Sequence, residues 1–170
     1  EESLGTKRPS WKFFYIGPMF RAERPQQGRL RQFHQFGAEL IGPAGPDADV
    51  ETIALAHTIL KEVGIHESSL VINSIGGPRA RVDLNKALRD FLMAPEVFNA
   101  IDADCKRRAT TNPLRIFDCK NEKCQAIYKN APSIDSFLTD EDRIHFASVK
   151  RGLDQLGMGY STDLRLVRGL

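Results

Sequence analysis

The chain has 170 residues, a formal net charge of +2, and 41% hydrophobic against 27% charged residues. That length holds one domain, or a small domain with part of another, and the composition is that of an ordinary globular chain and does not suggest disorder. So nearly neutral a balance does not announce nucleic-acid binding, so any such surface must be a local cluster.

No run of about 18 apolar residues is present, so no membrane span is expected. The opening Glu1-Glu2-Ser3-Leu4-Gly5 is acidic and polar, unlike a signal peptide. Residues 11–22 are rich in aromatic and branched side chains and read as a strand. Residues 24–31 hold Pro25 and Gly28 and read as a loop, and residues 32–41 return to a strand pattern. The expectation is a long antiparallel hairpin with a basic tip. From Asp47 to Val63, Val50, Ile53, Ala56, Leu60 and Val63 recur at helical spacing, with Gly64 as the stop. Ser69–Ile75 reads as a further strand, closed by Gly76-Gly77-Pro78.

Beyond that point the pattern turns helical. Leu84, Leu88, Phe91 and Leu92 mark one amphipathic helix, and a second is expected from Pro95 to Arg108. Residues 112–133 are mixed, with short elements around Leu114–Phe117. Thr139 followed by Asp142 resembles a capping box ahead of a Phe146, Val149, Leu153, Leu156 stripe, which Gly157 ends. Tyr160–Val167 returns to strand, and Leu164–Leu170 reads as a strand running off the end, which suggests a fragment. The fold class is therefore α+β, with residues 1–77 and 159–170 forming a sheet-based core and residues 78–158 an α-rich insertion.

Three cysteines are present, an odd count with no histidine partners at zinc spacing. Cys119 and Cys124 stand five apart rather than at CxxC spacing. They read as reduced thiols of a cytosolic protein, and no metal site is expected.

The chemistry concentrates at the hairpin. Side chains alternate faces along a strand, so Met19, Arg21 and Glu23 share one face of the first strand, and Phe33, Gln35, Gly37 and Glu39 one face of the second. If those faces coincide, one surface gathers an arginine, two carboxylates and a glutamine. Arg21, Arg24, Arg29 and Arg31 stand against Glu23 alone, and planar guanidinium groups suit a polyphosphate. Gly37 would let a ligand approach the backbone. Cross-strand ion pairs on a solvated face fit the same pattern, and spacing alone does not separate the two.

Phe20-Arg21-Ala22-Glu23 resembles motif 2 of class II aminoacyl-tRNA synthetases. The longer string from Tyr15-Ile16-Gly17-Pro18-Met19 through Arg31-Gln32-Phe33-His34-Gln35-Phe36-Gly37-Ala38-Glu39 resembles the histidyl-tRNA synthetase family in particular. Asn112-Pro113-Leu114-Arg115-Ile116-Phe117-Asp118-Cys119-Lys120-Asn121 looks like that family's insertion domain, and Leu166-Val167-Arg168-Gly169-Leu170 like the start of its second signature. The likeness runs from about residue 11 to 170. It implies a class II antiparallel sheet, with the motif 2 hairpin, a helix and a strand, carrying an inserted, mainly helical domain. It further implies ATP-dependent activation of histidine to histidyl-adenylate, then transfer to tRNA(His), with Mg2+ accompanying ATP.

On this likeness Arg21 contacts the α-phosphate and later the histidine carbonyl, Glu23 recognises the adenine amino group, and Arg29 holds the outer phosphates. Gln35 and Glu39 bind histidine, Glu39 through its α-ammonium group. Arg168 reaches the α-phosphate from the other side and completes the catalytic and histidine-binding set with Arg21. Lys106-Arg107-Arg108 on the insertion would meet tRNA phosphates, whereas a solvated helix end is the plainer reading of that run. His34 falls on the opposite hairpin face, and His57 and His145 fall on helices. The family's usual setting is a cytoplasmic homodimer. Its motif 1, motif 3 and anticodon-binding domain are not in this sequence, so the chain by itself is expected to be inactive. A catalytically silent paralogue (the regulatory subunit of ATP phosphoribosyltransferase), the synthetase-like domain of a stress kinase, and a tRNA-binding module are the alternatives.

Overall fold

The structure is a computed structural model that describes residues 9–22 and 24–167, so Glu23, Arg168, Gly169 and Leu170 lie outside the described residues. The chain divides into two compact units, residues 1–57 and 58–170.

The first unit is built on a hairpin. Strands β1 (Trp11–Phe20) and β2 (Gln32–Ile41) pair antiparallel over ten residues, from Trp11 opposite Ile41 to Phe20 opposite Gln32. The Arg21 N–H extends the ladder to the Arg31 carbonyl at 2.9 Å. The loop expected at 24–31 folds into a tight turn in which Gln26 and Arg29 exchange backbone bonds of 3.2 and 2.8 Å. Gly28 sits in that turn at φ +76°, a region costly for a residue with a Cβ. Helix α1 (Pro46–Glu62) follows, with Pro46 in its first turn, Asp47 and Asp49 facing its positive end and Lys61 its negative end. Its half-buried positions in this unit are Pro46, Ala48, Val50, Ile53, Ala54 and His57. The expected stripe through Ala56, Leu60 and Val63 is not the covered one: those three are exposed. The helix carries apolar residues on more than one side, so periodicity does not single out the packed face.

In the second unit a short strand, β3 (Leu70–Ile72), pairs in parallel with β4 (Tyr160–Thr162), Leu70 lying opposite Tyr160. Parallel strands require a long crossover. Here the crossover is a run of helices: α2 (Pro78–Met93), α3 (Pro95–Ala100), α4 (Ala103–Thr111), α5 (Glu122–Tyr128) and α6 (Asp140–Gln155). Turns of 3-10 helix at Pro113–Asp118 and Ile134–Ser136 lie between them. Both strands are shorter than the sequence pattern suggests. Past Thr162 the chain turns, because the Asp163 carboxylate accepts the Arg165 N–H at 2.9 Å and its carbonyl accepts the Leu166 N–H at 3.0 Å. The expected strand through residues 164–167 is therefore a turn, closed by a short acidic side chain competing for the backbone.

The core of this unit is helical. Ala80, Leu84, Leu88 and Leu92 recur every fourth residue on α2 and are all buried, packed with Ile101, Cys105, Ala109, Ile116, Tyr128 and Ile134. Burying one such leucine stabilises the fold by about 1.5–3 kcal/mol. The single helix expected over 95–108 is two, broken at Ile101-Asp102. Asp102 turns its carboxylate onto the Cys105 N–H at 2.8 Å and starts a new helix there. Helix α6 carries the expected capping box: Thr139 Oγ1 accepts the Asp142 N–H at 3.2 Å, and the Asp142 carboxylate accepts the Thr139 N–H at 3.0 Å. Val149 and Leu153 of its stripe are buried, but Leu156 is 57% exposed because it caps the helix end. Among the described residues no helix is long and apolar enough to cross a membrane.

The second oxygen of Asp142 accepts the Gly77 N–H at 2.9 Å, tying the start of α6 to the start of α2. These bonds, that to Thr139 foremost, hold its carboxyl below the usual range. Its contribution is thus complete above the unfolded carboxylate pKa of about 3.9 and is lost as pH falls through the folded value. Replacing Thr139 by Ala should lower stability by about 1 kcal/mol in urea unfolding, with m unchanged.

Candidate functional site

Directly opposed residues of an antiparallel pair point to the same side. The register sets Gly17 opposite Gln35, Met19 opposite Phe33, Phe13 opposite Glu39 and Tyr15 opposite Gly37. Arg21 continues the row through its bond to Arg31. Arg21, Gln35 and Glu39 therefore stand on one face of the hairpin, and His34, paired with Pro18, stands exposed on the other. Four strand residues span about 13 Å, so the three groups form a row: guanidinium, amide, carboxylate. Such a row suits an elongated, multiply charged ligand better than a single ion.

Packing steadies these side chains. The Arg21 guanidinium carbon lies 3.9 Å from the centre of the Phe33 ring, a cation–π contact that holds the charged group against that ring. Gln35 donates through Nε2 to the Tyr15 hydroxyl at 2.7 Å. Tyr15 also answers why position 37 has no side chain: a Cβ there would lie 2.4 Å from the Tyr15 ring. The space over Gly37, expected to admit a ligand, is filled by that ring. Alternation from Arg21 places Tyr15 on the same face, a role that its place in the motif string does not reveal. Trp11 and Phe13 stack at 5.4 Å at the far end of the row. Glu39 borders a shallow hollow with Phe13 and Leu55, spanned by a Lys12–Glu51 ion pair.

Arg29 lies at the turn itself, with its backbone bonded to Gln26. Lys106, Arg107 and Arg108 share α4 but each has an internal partner: the Phe98 ring at 5.3 Å, Asp104 at 2.9 Å and the Arg115 carbonyl at 3.0 Å, respectively. A second constellation, which thiol spacing alone did not suggest, lies in the helical unit. Asp102, Cys105, Cys119 and Cys124 bring one oxygen and three sulfurs within 4.8 Å of one another, and the three cysteines are free thiols. Hydrogen bonds from the Cys105 backbone and then the Cys124 thiol hold the Asp102 carboxyl at about 2. Burial pushes Cys105 up to about 12 and raises Cys124 and Tyr128 as well. The missed signal was Asp102, a D-x-x-C partner standing where a search for thiols alone finds nothing.

The profile of the family described as histidyl-tRNA synthetase matches residues 2–103. A histidine–tRNA ligase of Halothermothrix orenii is 50% identical over 159 residues, covering 94% of this chain and 38% of that protein. One from Streptococcus pneumoniae is 46% identical over 164 residues, covering 96% and 38%. Among solved structures, apo Staphylococcus aureus histidyl-tRNA synthetase aligns with a TM-score of 0.71 at 36% identity, over 98% of this chain and 37% of that one. The chain thus spans 38% of the length of the curated relatives it matches.

The contact of Tyr15 with Gly37 can be measured. Gly37→Ala should push the partly exposed Tyr15 ring aside and cost about 1 kcal/mol of stability, the low end for overpacking. In a Tyr15→Ala background the same change should cost much less, and additive effects in that double-mutant cycle would refute the packing argument.

Proposed function

The chain belongs to the histidyl-tRNA synthetase family, and we propose on that premise that it serves in a histidine–tRNA ligase. The reaction is ATP-dependent activation of histidine to its adenylate, followed by transfer to the terminal ribose of tRNA(His). The observation that carries this reading is the row of Arg21, Gln35 and Glu39 on one hairpin face, with Arg21 against the Phe33 ring.

Bound ATP supplies the electrophilic phosphorus, and Mg2+ accompanies it. The residues present fit that partner: a planar, permanently charged guanidinium matches phosphate oxygens in pairs. Arg21 would neutralise the charge that builds on the α-phosphate as the histidine carboxylate attacks, a role worth about 2.7–4 kcal/mol for a preorganised donor. Arg29, on the turn, would hold the outer phosphates. Gln35, oriented by the Tyr15 hydroxyl, and Glu39 would seat histidine, Glu39 accepting from its α-ammonium group by a charge-assisted bond. Glu23 for the adenine amino group and Arg168 for the far side of the α-phosphate complete the assignment, both by sequence likeness, since both lie outside the described residues. Placing the attacking and leaving groups in line is the main contribution, without a covalent enzyme intermediate.

Residues 78–158 are assigned to an insertion within a core formed by 1–77 and 159–170. The pairing of β3 with β4 on either side of the helices supports that division. Lys106, Arg107 and Arg108 are the proposed tRNA contacts. The Arg107–Asp104 pair is exposed and of adjacent-turn type, worth a few tenths of a kcal/mol, so phosphate can replace it. The working form is proposed to be a cytoplasmic homodimer.

In the full-length enzyme, Arg21→Lys should lower histidine-dependent ATP–pyrophosphate exchange by about 10²–10³-fold in kcat, since an ammonium cannot reproduce the paired donors. Glu39→Gln should chiefly raise the KM for histidine and leave the KM for ATP nearly unchanged. Exchange unaffected by either change would overturn the assignment. The tip from Arg24 to Leu30 is wholly exposed, and Gln26 and Arg29 are its bridged pair. Its amides should exchange with deuterium faster than those of β1 and β2, and ATP should slow them.

A further inference from the structure

We propose that Asp102, Cys105, Cys119 and Cys124 form a tetrahedral zinc site that staples the helical unit. The argument begins with geometry. Around zinc, with bonds of about 2.3 Å to sulfur and 2.0–2.2 Å to oxygen, ligand atoms stand roughly 3.5–3.8 Å apart. The Asp102 Oδ2 atom lies 3.3 Å from the Cys124 sulfur and 3.7 Å from the Cys119 sulfur, and no pair in the group exceeds 4.8 Å. Closing the widest pair onto a metal therefore needs a movement of about 1 Å, within side-chain reach.

The ligands come from three short elements. Asp102 caps α4 and Cys105 lies in its first turn, Cys119 follows the Pro113–Asp118 turn, and Cys124 lies in the first turn of α5. One oxygen of Asp102 caps α4, and its other oxygen faces the Cys119 and Cys124 thiols.

Polar support around the group is already in place. The Asn121 side chain donates to Asp102 Oδ2 at 3.2 Å, and its backbone N–H donates to the Cys119 sulfur at 3.4 Å. These second contacts orient ligands, as outer partners of zinc sites do. The Tyr128 hydroxyl is buried against the Cys105 thiol and, among the described residues, meets no acceptor in ordinary hydrogen-bond geometry, that thiol being its only polar neighbour of note. A buried donor left unmatched is uncommon and costly. A thiolate at Cys105 would be the acceptor it lacks.

Binding is balanced in charge and protons. Zinc takes up one carboxylate and three sulfurs, three thiol protons pass to solvent, and the site carries a net charge of −2. The N–H donors and the positive end of α4 offset part of that charge. Three soft sulfurs favour zinc over magnesium or calcium. Burial disfavours a bare thiolate, and a bound dication reverses that preference.

The test uses the full-length protein purified under reducing conditions without chelators. Elemental analysis should find zinc at one equivalent. Cobalt added to the metal-free protein should give a thiolate-to-metal charge-transfer band with the intense visible absorption of tetrahedral cobalt. Asp102→Asn preserves the helix cap and should weaken cobalt affinity about tenfold or more. Cys124→Ser should weaken it further, whereas Asp102→Cys should retain or tighten binding in a protein of matched circular dichroism. The site is refuted if the folded, reduced wild type holds less than about a tenth of an equivalent of either metal. It is equally refuted if cobalt binds the Cys124→Ser variant as tightly as the wild type, or if two of the thiols are isolated as a disulfide from reducing cytoplasm.

Discussion

A ten-pair antiparallel register, with Trp11 against Ile41 and Phe20 against Gln32, governs everything the hairpin can do. Side chains on a strand alternate with period two, so a slip of one residue would send Gln35 and Glu39 to the face now held by His34 and Phe36. Several features hold the register against that slip. Gly28 allows the turn at positive φ, the Arg21–Arg31 bond extends the ladder toward the tip, and Tyr15 fits over Gly37 with no room for a side chain. The opposite face places Phe14, Ile16, Phe20 and Phe36 in the open, at 57–83% exposure. A slip would therefore also put the charged row where an apolar surface now stands.

Small forces suffice to position the site because they act on an already rigid ladder. The Arg21–Phe33 contact and the Tyr15–Gln35 bond are each worth about a kcal/mol. Neither would order a free chain, but each selects one rotamer on a backbone whose position is set. The exposed Lys12–Glu51 pair adds little to stability by the same scale. In the helical unit the division of labour differs: the Ala80, Leu84, Leu88 and Leu92 row supplies the apolar burial, and capping groups decide where helices begin. Asp102 is the instructive case, since one carboxylate breaks a potential helix, starts the next, and faces two thiols.

Much was legible in the residue order. Strand and helix types follow from local periods, so the hairpin, the α1 segment, the α2 row and the Thr139–Asp142 capping box were all readable, as was the sharing of a face by Gln35 and Glu39. Element ends were less so. Leu70–Ile72 and Tyr160–Thr162 are shorter than their apolar runs, because pairing partners, rather than propensity, end a strand. The buried side of α1 was also misplaced, since apolar residues on several sides leave the choice to whatever packs against it.

Local order, then, settled secondary-structure type, the basic tip and the motif 2 likeness, because each depends on residues near one another along the chain. Contacts between distant segments settled the rest. Whether the Arg21 face coincides with the Gln35 face depends on register. Which ring fills the gap over Gly37 depends on Tyr15, some twenty residues away. Whether Asp102 meets Cys119 and Cys124 depends on how three short elements close on the α2 leucines. Sequence spacing carries no distance information once the chain has turned back on itself, and each of those decisions is made across such a turn.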